Sequence, residues 1–343
     1  MPKTPSRLDE FDLIRRYFAP LAAGEPGAFG LTDDAAIVDI GAGERIVVTT
    51  DAMVAGVHFP AGDRPSLIAR KLLRVNLSDL AAMGARPRGY TLAAALTRDT
   101  DGDWLADFVA GLAIDQVAFG IGLLGGDTVM TPGPPTFSLT ALGVVTGDGL
   151  LRRNGARPGD DIYVSGTIGD AFLGLAIVEK RIEIETEADR DFLVERFQLP
   201  EPRLSLGRLL VGVATAAADV SDGLVADLEH ICTASSCSAT IEMDAVPLSK
   251  AAAAVTDGQS LRHNLLTGGD DYEIVFAAPA IARNRVERIS QDSGVRLTRI
   301  GSFVEPRDSV PRTEVLDGGG NRIDLGYGGY RHFHGERGEG HGG

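Results

Sequence analysis

The sequence predicts an α/β (α+β) fold in two domains. Short β-branched or apolar runs alternate with stretches of helical spacing along most of the chain. At 343 residues the chain is long enough for two domains of ordinary size. Its character changes near residue 148, where Arg152-Arg-Asn-Gly-Ala-Arg-Pro-Gly-Asp-Asp161 is polar and turn-rich.

Phe11, Ile14, Tyr17 and Phe18 have helical spacing within residues 6 to 18. After a Gly/Pro-rich loop, Gly30-Leu-Thr-Asp-Asp-Ala-Ala-Ile-Val38 reads as two carboxylates leading into an apolar strand. Arg45 to Thr50 is strand-like and ends in Asp51. A helix from about Ser66 to Met83 closes at Gly84, a good terminator. Gly89 to Thr97 and Thr136 to Val145 read as strands, the second alternating clearly at Phe137, Leu139 and Ala141. Between them a helix-like segment (Trp104 to Phe119) precedes Gly120-Ile-Gly-Leu-Leu-Gly-Gly-Asp-Thr128, an apolar run whose glycines predict a short buried strand with Asp127 at its exit. Gly120, Gly122 and Gly125 also match the dinucleotide fingerprint. That motif needs a strand before it and a helix after it, and here a helix precedes and Pro-rich chain follows.

Beyond the boundary, Ile162 to Ser165 predicts a strand and Asp170 to about Lys180 a helix. Helices at 187–198 and 203–215 follow, then a strand into Asp219-Val-Ser-Asp-Gly223 and a helix to about Ser235. Ala239 to Met243, Tyr272 to Ala278 and Arg296 to Val304 complete a second sheet. The Gly-rich tail after Phe333 is expected to be disordered. Domain limits are therefore expected at 1–147 and 148–334, with a tail at 335–343.

Composition narrows the function. No apolar run approaches the ~20 residues of a membrane span, and the charged N-terminus lacks an apolar signal core, so a cytoplasmic protein is expected. Cys232 and Cys237 fit neither a disulfide framework nor a zinc site. A formal net charge of −15 argues against a general nucleic-acid binder. Phosphate binding stays open, provided divalent metal stands between the two acidic partners.

The aspartates carry the chemistry. Asp33, Asp34, Asp51, Asp127, Asp219, Asp222, Asp270 and Asp271 each sit beside Gly, Thr, Ser or another Asp at an expected element edge. One such residue reads as a turn or cap; the ensemble reads as hard oxygen ligands for Mg²⁺ and phosphates. Asp79 lies inside an otherwise apolar helix, where a carboxylate needs a partner. No P-loop, kinase catalytic loop or hydrolase elbow is present. Lysines are confined to Lys3, Lys71, Lys180 and Lys250, which leaves phosphate charge to metal, to arginines such as Arg153 and to backbone N–H groups.

Eight blocks in order then resemble the thiamine-monophosphate kinase family. It belongs to the ATP-binding superfamily of aminoimidazole ribonucleotide synthetase, selenophosphate synthetase and a hydrogenase-maturation protein. The blocks are Thr32-Asp-Asp-Ala-Ala36, Thr49-Thr-Asp-Ala-Met-Val-Ala-Gly-Val-His-Phe59, Val75-Asn-Leu-Ser-Asp-Leu-Ala-Ala-Met-Gly-Ala85 and Gly125-Gly-Asp-Thr128. Arg153-Asn-Gly-Ala-Arg-Pro-Gly-Asp160, Asp219-Val-Ser-Asp-Gly-Leu224, Gly268-Gly-Asp-Asp-Tyr-Glu273 and Gly329-Tyr-Arg-His-Phe333 follow. The resemblance implies metal ligands at Asp34, Thr49, Thr50, Asp51, Asp79, Asp127, Asp219 and Asp222, with Asp51, Asp127 and Asp222 central to catalysis. It implies ATP contacts at Gly126, Arg153 and Ser221, and thiamine-phosphate contacts at His58, Asp270 and Tyr330. It also implies several Mg²⁺ ions, ATP as donor, and a homodimer whose N-terminal sheets join into a shared β-barrel, each followed by a C-terminal α/β sandwich domain. A sister synthetase phosphorylating an amide oxygen or selenide, and a nucleotide sensor without turnover, are the alternatives. The C-terminal cysteine of the hydrogenase-maturation branch is missing.

Overall fold

The computed structural model describes residues 10–255 and 259–325. Tyr330, the C-terminal tail and the start of the first expected helix lie outside them. The chain enters through a short helix, α1 (Glu10–Leu13), a π turn over Ile14–Phe18 and a 3-10 turn over Ala19–Ala22 that carries Pro20. Tyr17 and Phe18 are driven into the core.

The first sheet comprises β1 (Glu44–Val54), β2 (Arg86–Leu96), β3 (Leu123–Met130) and β4 (Thr136–Thr146), in the order β1-β4-β2-β3. Helix α2 (Pro65–Ala82) connects β1 to β2, and α3 (Gly102–Phe119) connects β2 to β3. The α3 crossover makes β2 and β3 parallel, while β1–β4 and β2–β4 are antiparallel. The period-two pattern of β4 buries Phe137, Leu139 and Ala141 completely, in one apolar core with Leu72 and Leu73 of α2 and Phe108 of α3. Phe108 stacks on Trp104 and Phe137, with ring centroids 5.2 and 4.9 Å away. Helix α3 starts where Asp101 accepts a hydrogen bond from the Trp104 N–H at 2.8 Å, a side-chain cap.

The second sheet holds β5 (Asp160–Ser165), β6 (Ala216–Asp219), β7 (Ser238–Glu242), β8 (Ile274–Pro279), β9 (Leu297–Val304), β10 (Thr313–Leu316) and β11 (Arg322–Ile323), ordered β11-β10-β7-β9-β5-β8-β6. Around it run α4 (Asp170–Val178), α5 (Glu187–Gln198), α6 (Leu204–Leu210), α7 (Leu224–Ser235), α8 (Lys250–Val255), α9 (Gln259–Thr267) and α10 (Arg283–Ser293). Alternation along β8 splits the interior into two cores. Val275 and Ala277 face α7, whereas Ile274, Phe276 and Ala278 face α6 and α10. No helix among the described residues is long and apolar enough to cross a membrane.

Several expectations are corrected. Residues 32–42 form no strand: the apolar pairs are interrupted by Asp39 and Gly41, the Ile37 N–H is bound locally to the Gly27 carbonyl, and Ile37 remains exposed. Asp51 and Asp127 do not sit at strand exits. β1 continues to Val54, and β3 runs straight through Gly125, Gly126 and Asp127. A side-chain carbon at Gly126 would collide with the Leu92 carbonyl, so glycine is what lets β3 lie so close to β2. Helix α6 stops at Leu210 because the chain turns and Thr215 already donates to the Ala277 carbonyl. The short strands β10 and β11 extend the second sheet beyond the three strands anticipated at its C-terminal end.

Helix α2 joins the two halves. Ala81 belongs to the core of the second sheet, and Arg74 binds Asp115 of α3 (Nε–Oδ2 2.6 Å) and the Pro200 carbonyl (3.1 Å). A second buried cluster locks the loop before β8. Glu273, fully buried, accepts from Ser165 Oγ at 2.6 Å, Arg196 at 2.9 Å and Arg203 Nε at 2.7 Å. Burial alone would raise its pKa, but the hydrogen bond and charge of Arg203, with Arg196, hold it below the usual carboxylate value. A depressed folded-state pKa stabilises the protein above the unfolded-state value of 4.5, and that stability is lost as pH falls through the folded value. Glu273→Gln should therefore cost about 3–5 kcal/mol at pH 7, since it strands two arginines. In urea titrations the gap to wild type should narrow as pH falls from about 4.5, where the unfolded carboxyl takes up its proton, down through the lower native value. A pH-independent gap would assign the loss to packing.

Candidate active site

The site lies where α2 meets the second sheet. Asp79 is not left unpartnered in its apolar helix: Thr49 Oγ1 on β1 donates to its Oδ2 at 2.5 Å. Two residues on, the backbone N–H of Asp51 donates to Asn76 Oδ1 at 3.1 Å, which fixes β1 against α2. One residue before Asp79, Ser78 Oγ donates to Asp219 Oδ2 at 2.8 Å across the seam between the sheets. Thr50 alternates to the opposite face of β1, where its hydroxyl meets the Leu139 carbonyl at 3.0 Å and Thr140 Oγ1 at 2.8 Å. Its side chain is turned away from the carboxylate group that its neighbours join.

Asp222 enters on the turn after β6. That turn is shaped by Asp227, whose Oδ2 accepts from the N–H groups of Ser221, Asp222 and Gly223 at 3.0, 3.0 and 3.2 Å. Gly223, at φ 120°, occupies a backbone region where a side chain would also strike the Thr267 carbonyl.

The electrostatics of this group are repulsive. Burial pushes the Asp51 carboxyl up to about 7, helped by the charges of Asp79 and Asp222. Asp227 is pushed up to about 7 by burial and then by Asp222. Asp219 is raised well above the ordinary value, first by burial and then by Asp79 and Asp227. Burial raises Asp79 too, partly offset by the Thr49 hydrogen bond and the Arg153 charge. Desolvated oxygen donors crowded this way fit a hard divalent cation, with no sulfur ligand and no lysine in the group.

Two cavities flank the carboxylates. One, of about 560 Å³, is lined by Thr49, Asp79, Arg153 and Asp219. The other, of about 230 Å³, is lined by Asp51, His58, Lys71, Ser221, Asp222 and Asp270. His58 is held from behind, with Nδ1 accepting from the Val54 N–H at 3.0 Å. The structure thus gathers Thr49, Asp51, His58, Asp79, Arg153, Asp219, Ser221, Asp222 and Asp270 around one seam.

Asp34, Gly126 and Asp127 are elsewhere. They line a separate cavity of about 150 Å³ beside β3. β1 and β3 are opposite edges of the four-stranded sheet, so three strand spacings, roughly 14 Å, separate Asp127 from Asp51. Lys71, Asn76, Ser78 and Asp227 were not anticipated at the site. Three of these share α2 with Asp79, and their clustering in an apolar helix was the available signal.

A two-sheet protein with desolvated carboxylates at its inter-sheet seam has the oxygen donor set that a hard divalent cation and a phosphate would require. Residues 32–145 match the family described as AIR synthase related protein, N-terminal domain, and 157–313 match its C-terminal domain. The thiamine-monophosphate kinase of Caulobacter vibrioides is 46% identical over 301 residues, covering 86% of this chain and 84% of that protein. The crystal structure of the thiamine-monophosphate kinase from Stenotrophomonas maltophilia superposes with TM-score 0.80 at 40% identity, covering 89% of this chain and 96% of that one. AaThiL complexed with AMPPCP and TMP gives TM-score 0.75 at 27% identity, covering 95% and 99%. The chain belongs to the thiamine-monophosphate kinase family, within the AIR synthase related proteins.

Because the carboxylates repel one another, Asp51→Asn and Asp219→Asn should each stabilise the metal-free protein, on the order of 1–3 kcal/mol at pH 8. Both should shrink the rise in Tm expected on adding Mg²⁺ with nucleotide. Scanning calorimetry with and without Mg·ATP measures both effects. A metal-free variant less stable than wild type would show that these carboxylates support the fold instead of straining it.

Proposed function

We propose that the protein transfers the γ-phosphoryl group of ATP to thiamine monophosphate, giving ADP and thiamine diphosphate. The observation that carries this reading is the convergence of Asp51, Asp79, Asp219 and Asp222 beside a cavity that holds His58 and Asp270. Those carboxylates, with Thr49, would hold Mg²⁺, which when bound neutralises phosphate charge. Arg153 and the Ser221 turn would receive ATP phosphates, while His58 and Asp270 orient the acceptor. An acceptor phosphate oxygen forms the new bond to the γ-phosphorus as the bond to ADP breaks, in line. A monoester phosphate has a second pKa near ~6 and arrives ionised, so no side chain has to remove a proton.

The proposed domain limits are 1–147 and 148–334, and the proposed assembly is a homodimer whose first sheets close a barrel. Two features support a site shared between protomers. Among the described residues no strand pairs the outer edges of β1 and β3, and Ile46, Val48, Val129 and Met130 are exposed along them. Asp34 and Asp127 are also stranded at the β3 edge, away from the other proposed ligands. A second copy whose β3 lies beside β1 would bring them to Asp51 and Asp79.

The expected outcome is that thiamine monophosphate is converted and free thiamine is not, measured by ADP release and product identity with ATP and Mg²⁺. Comparable turnover of free thiamine would sink the base-free mechanism; turnover of only an amide or selenide acceptor would sink the function. Asp51→Asn and Asp127→Asn should each abolish turnover as homodimers while circular dichroism stays unchanged. Mixed and reassociated, the two variants should regain roughly a quarter of wild-type activity if each site draws on both chains. No recovery in verified heterodimers would place both residues in the same protomer's site.

A further inference from the structure

We propose that Lys71 receives the phosphate of the acceptor, and that with Asp270 it forms a charge pair matched to a zwitterionic substrate. The inference rests on the thiamine-monophosphate reading above and adds a specificity residue to that site. Thiamine monophosphate carries a cationic thiazolium ring and, two carbons away, an anionic phosphate. Free thiamine carries only the cation.

Lys71 lies on α2 and is 4% exposed. Its ammonium sits 3.0 Å from Asp270 Oδ2 and 3.7 Å from the centroid of the Phe197 ring. A desolvated lysine is costly to hold, so the question is what its charge serves. The buried acids that tie the fold together are sealed: Asp115 and Glu273 are both 0% exposed, and each is gripped by two arginines. The Lys71–Asp270 pair is different. Asp270 keeps 31% of its side chain exposed, and both residues line the cavity of about 230 Å³ with Asp51 and Asp222. The ammonium has three donors, and among the described residues it makes one hydrogen bond, to Asp270.

The backbone is set to present this pair. Asp270 and Tyr272 adopt φ values of 73° and 50°, the left-handed region that side chains disfavour. Their N–H groups are pinned to the Ser221 and Val220 carbonyls at 2.9 and 2.8 Å. Tyr272 also donates its hydroxyl to Asp270 Oδ1 at 3.3 Å. Asp270 is thereby aimed at α2 from a loop that could relax only by losing these bonds.

The charge balance of the cavity decides the assignment. A phosphate entering it meets the carboxylates of Asp51, Asp222 and Asp270. Among the described residues, Lys71 is the lone lysine or arginine lining the cavity, so it is the attraction these residues offer that phosphate. Asp270 then faces the thiazolium, and the pair exchanges its internal partner for the two charges of the ligand.

The test uses the full-length protein and titration calorimetry with thiamine monophosphate, thiamine and a non-hydrolysable Mg·ATP analogue. Lys71→Met keeps an unbranched stem against Phe197 and removes the charge. It should weaken thiamine monophosphate binding by about tenfold or more, the scale of one charge-assisted hydrogen bond. Thiamine binding should change less than about threefold, so the preference for the phosphorylated acceptor collapses. Lys71→Arg should retain that preference. Equal losses for both acceptors, an unchanged affinity for thiamine monophosphate, or a loss confined to the nucleotide would each overturn the proposal. Should Lys71→Met fail to fold, the double variant Lys71→Met/Asp270→Asn leaves no unpaired charge and carries the same comparison: a retained preference overturns the proposal and a lost one supports it. Failure of the underlying reading looks different, because wild-type protein would then neither bind nor phosphorylate thiamine monophosphate.

Discussion

The structure depends on keeping several carboxylates together in a desolvated seam where they repel. Helix α2 makes this possible. It is buried on nearly every side, and the polar side chains along its inner turns reach out to several neighbouring elements. Lys71 meets the loop before β8, Arg74 meets α3, and Asn76 holds the backbone of β1. Ser78 meets β6 and Asp79 meets β1. Buried polar groups with partners on neighbouring elements specify one arrangement of those neighbours, because any slip strands a donor or an acceptor. The helix therefore sets the relative position of the two sheets, and with it the spacing of Asp51, Asp79 and Asp219.

Repulsion of this kind has to be offset elsewhere. Arg70 and Arg74 clamp Asp115, and Arg196 and Arg203 clamp Glu273, both pairs flanking the seam. These are charge pairs with bidentate or multiple hydrogen bonds, the geometry in which buried pairs hold a unique structure. The rigid clamps and the strained cluster belong to one design. A cluster that is unfavourable without a cation gives that cation more to relieve, and so couples its binding to the closed seam.

Much of this was legible in the sequence, and the limits have physical causes. Asp79 stood out because a carboxylate in an apolar helix needs a partner, and Thr49 supplies it. The strand alternation of β4 and the helix of α3 followed from local periodicity. Asp51 and Asp127 were misplaced to strand ends because glycine and threonine beside an acid look like a turn. Nothing local shows that Gly126 is glycine to let β3 approach the Leu92 carbonyl. The separation of Asp127 from Asp51 depends on the strand order β1-β4-β2-β3, a product of long-range pairing. With only four lysines in the chain, the sequence assigns phosphate charge to metal, arginines and backbone N–H groups, and nothing local marks Lys71. Its burial comes from Phe197 and Asp270, which lie in distant parts of the chain.

Asp51, pushed up to about 7, falls in the range that suits a general base, but the causes of the shift point to a different role. Burial comes first, followed by the charges of Asp79 and Asp222; none of these is specific to proton transfer. A cation among the same oxygens reverses the sign of the local field and favours the ionised carboxylate. The raised value is then a measure of how strongly the cluster wants a counter-charge. A base has no task if the acceptor is a phosphate monoester already ionised near neutral pH. What the site must supply is neutralisation and alignment of two anionic groups that would otherwise repel. In the proposed reading, carboxylates that would hold metal, Arg153 at the nucleotide side and Lys71 at the acceptor side answer that requirement, and a poised base does not.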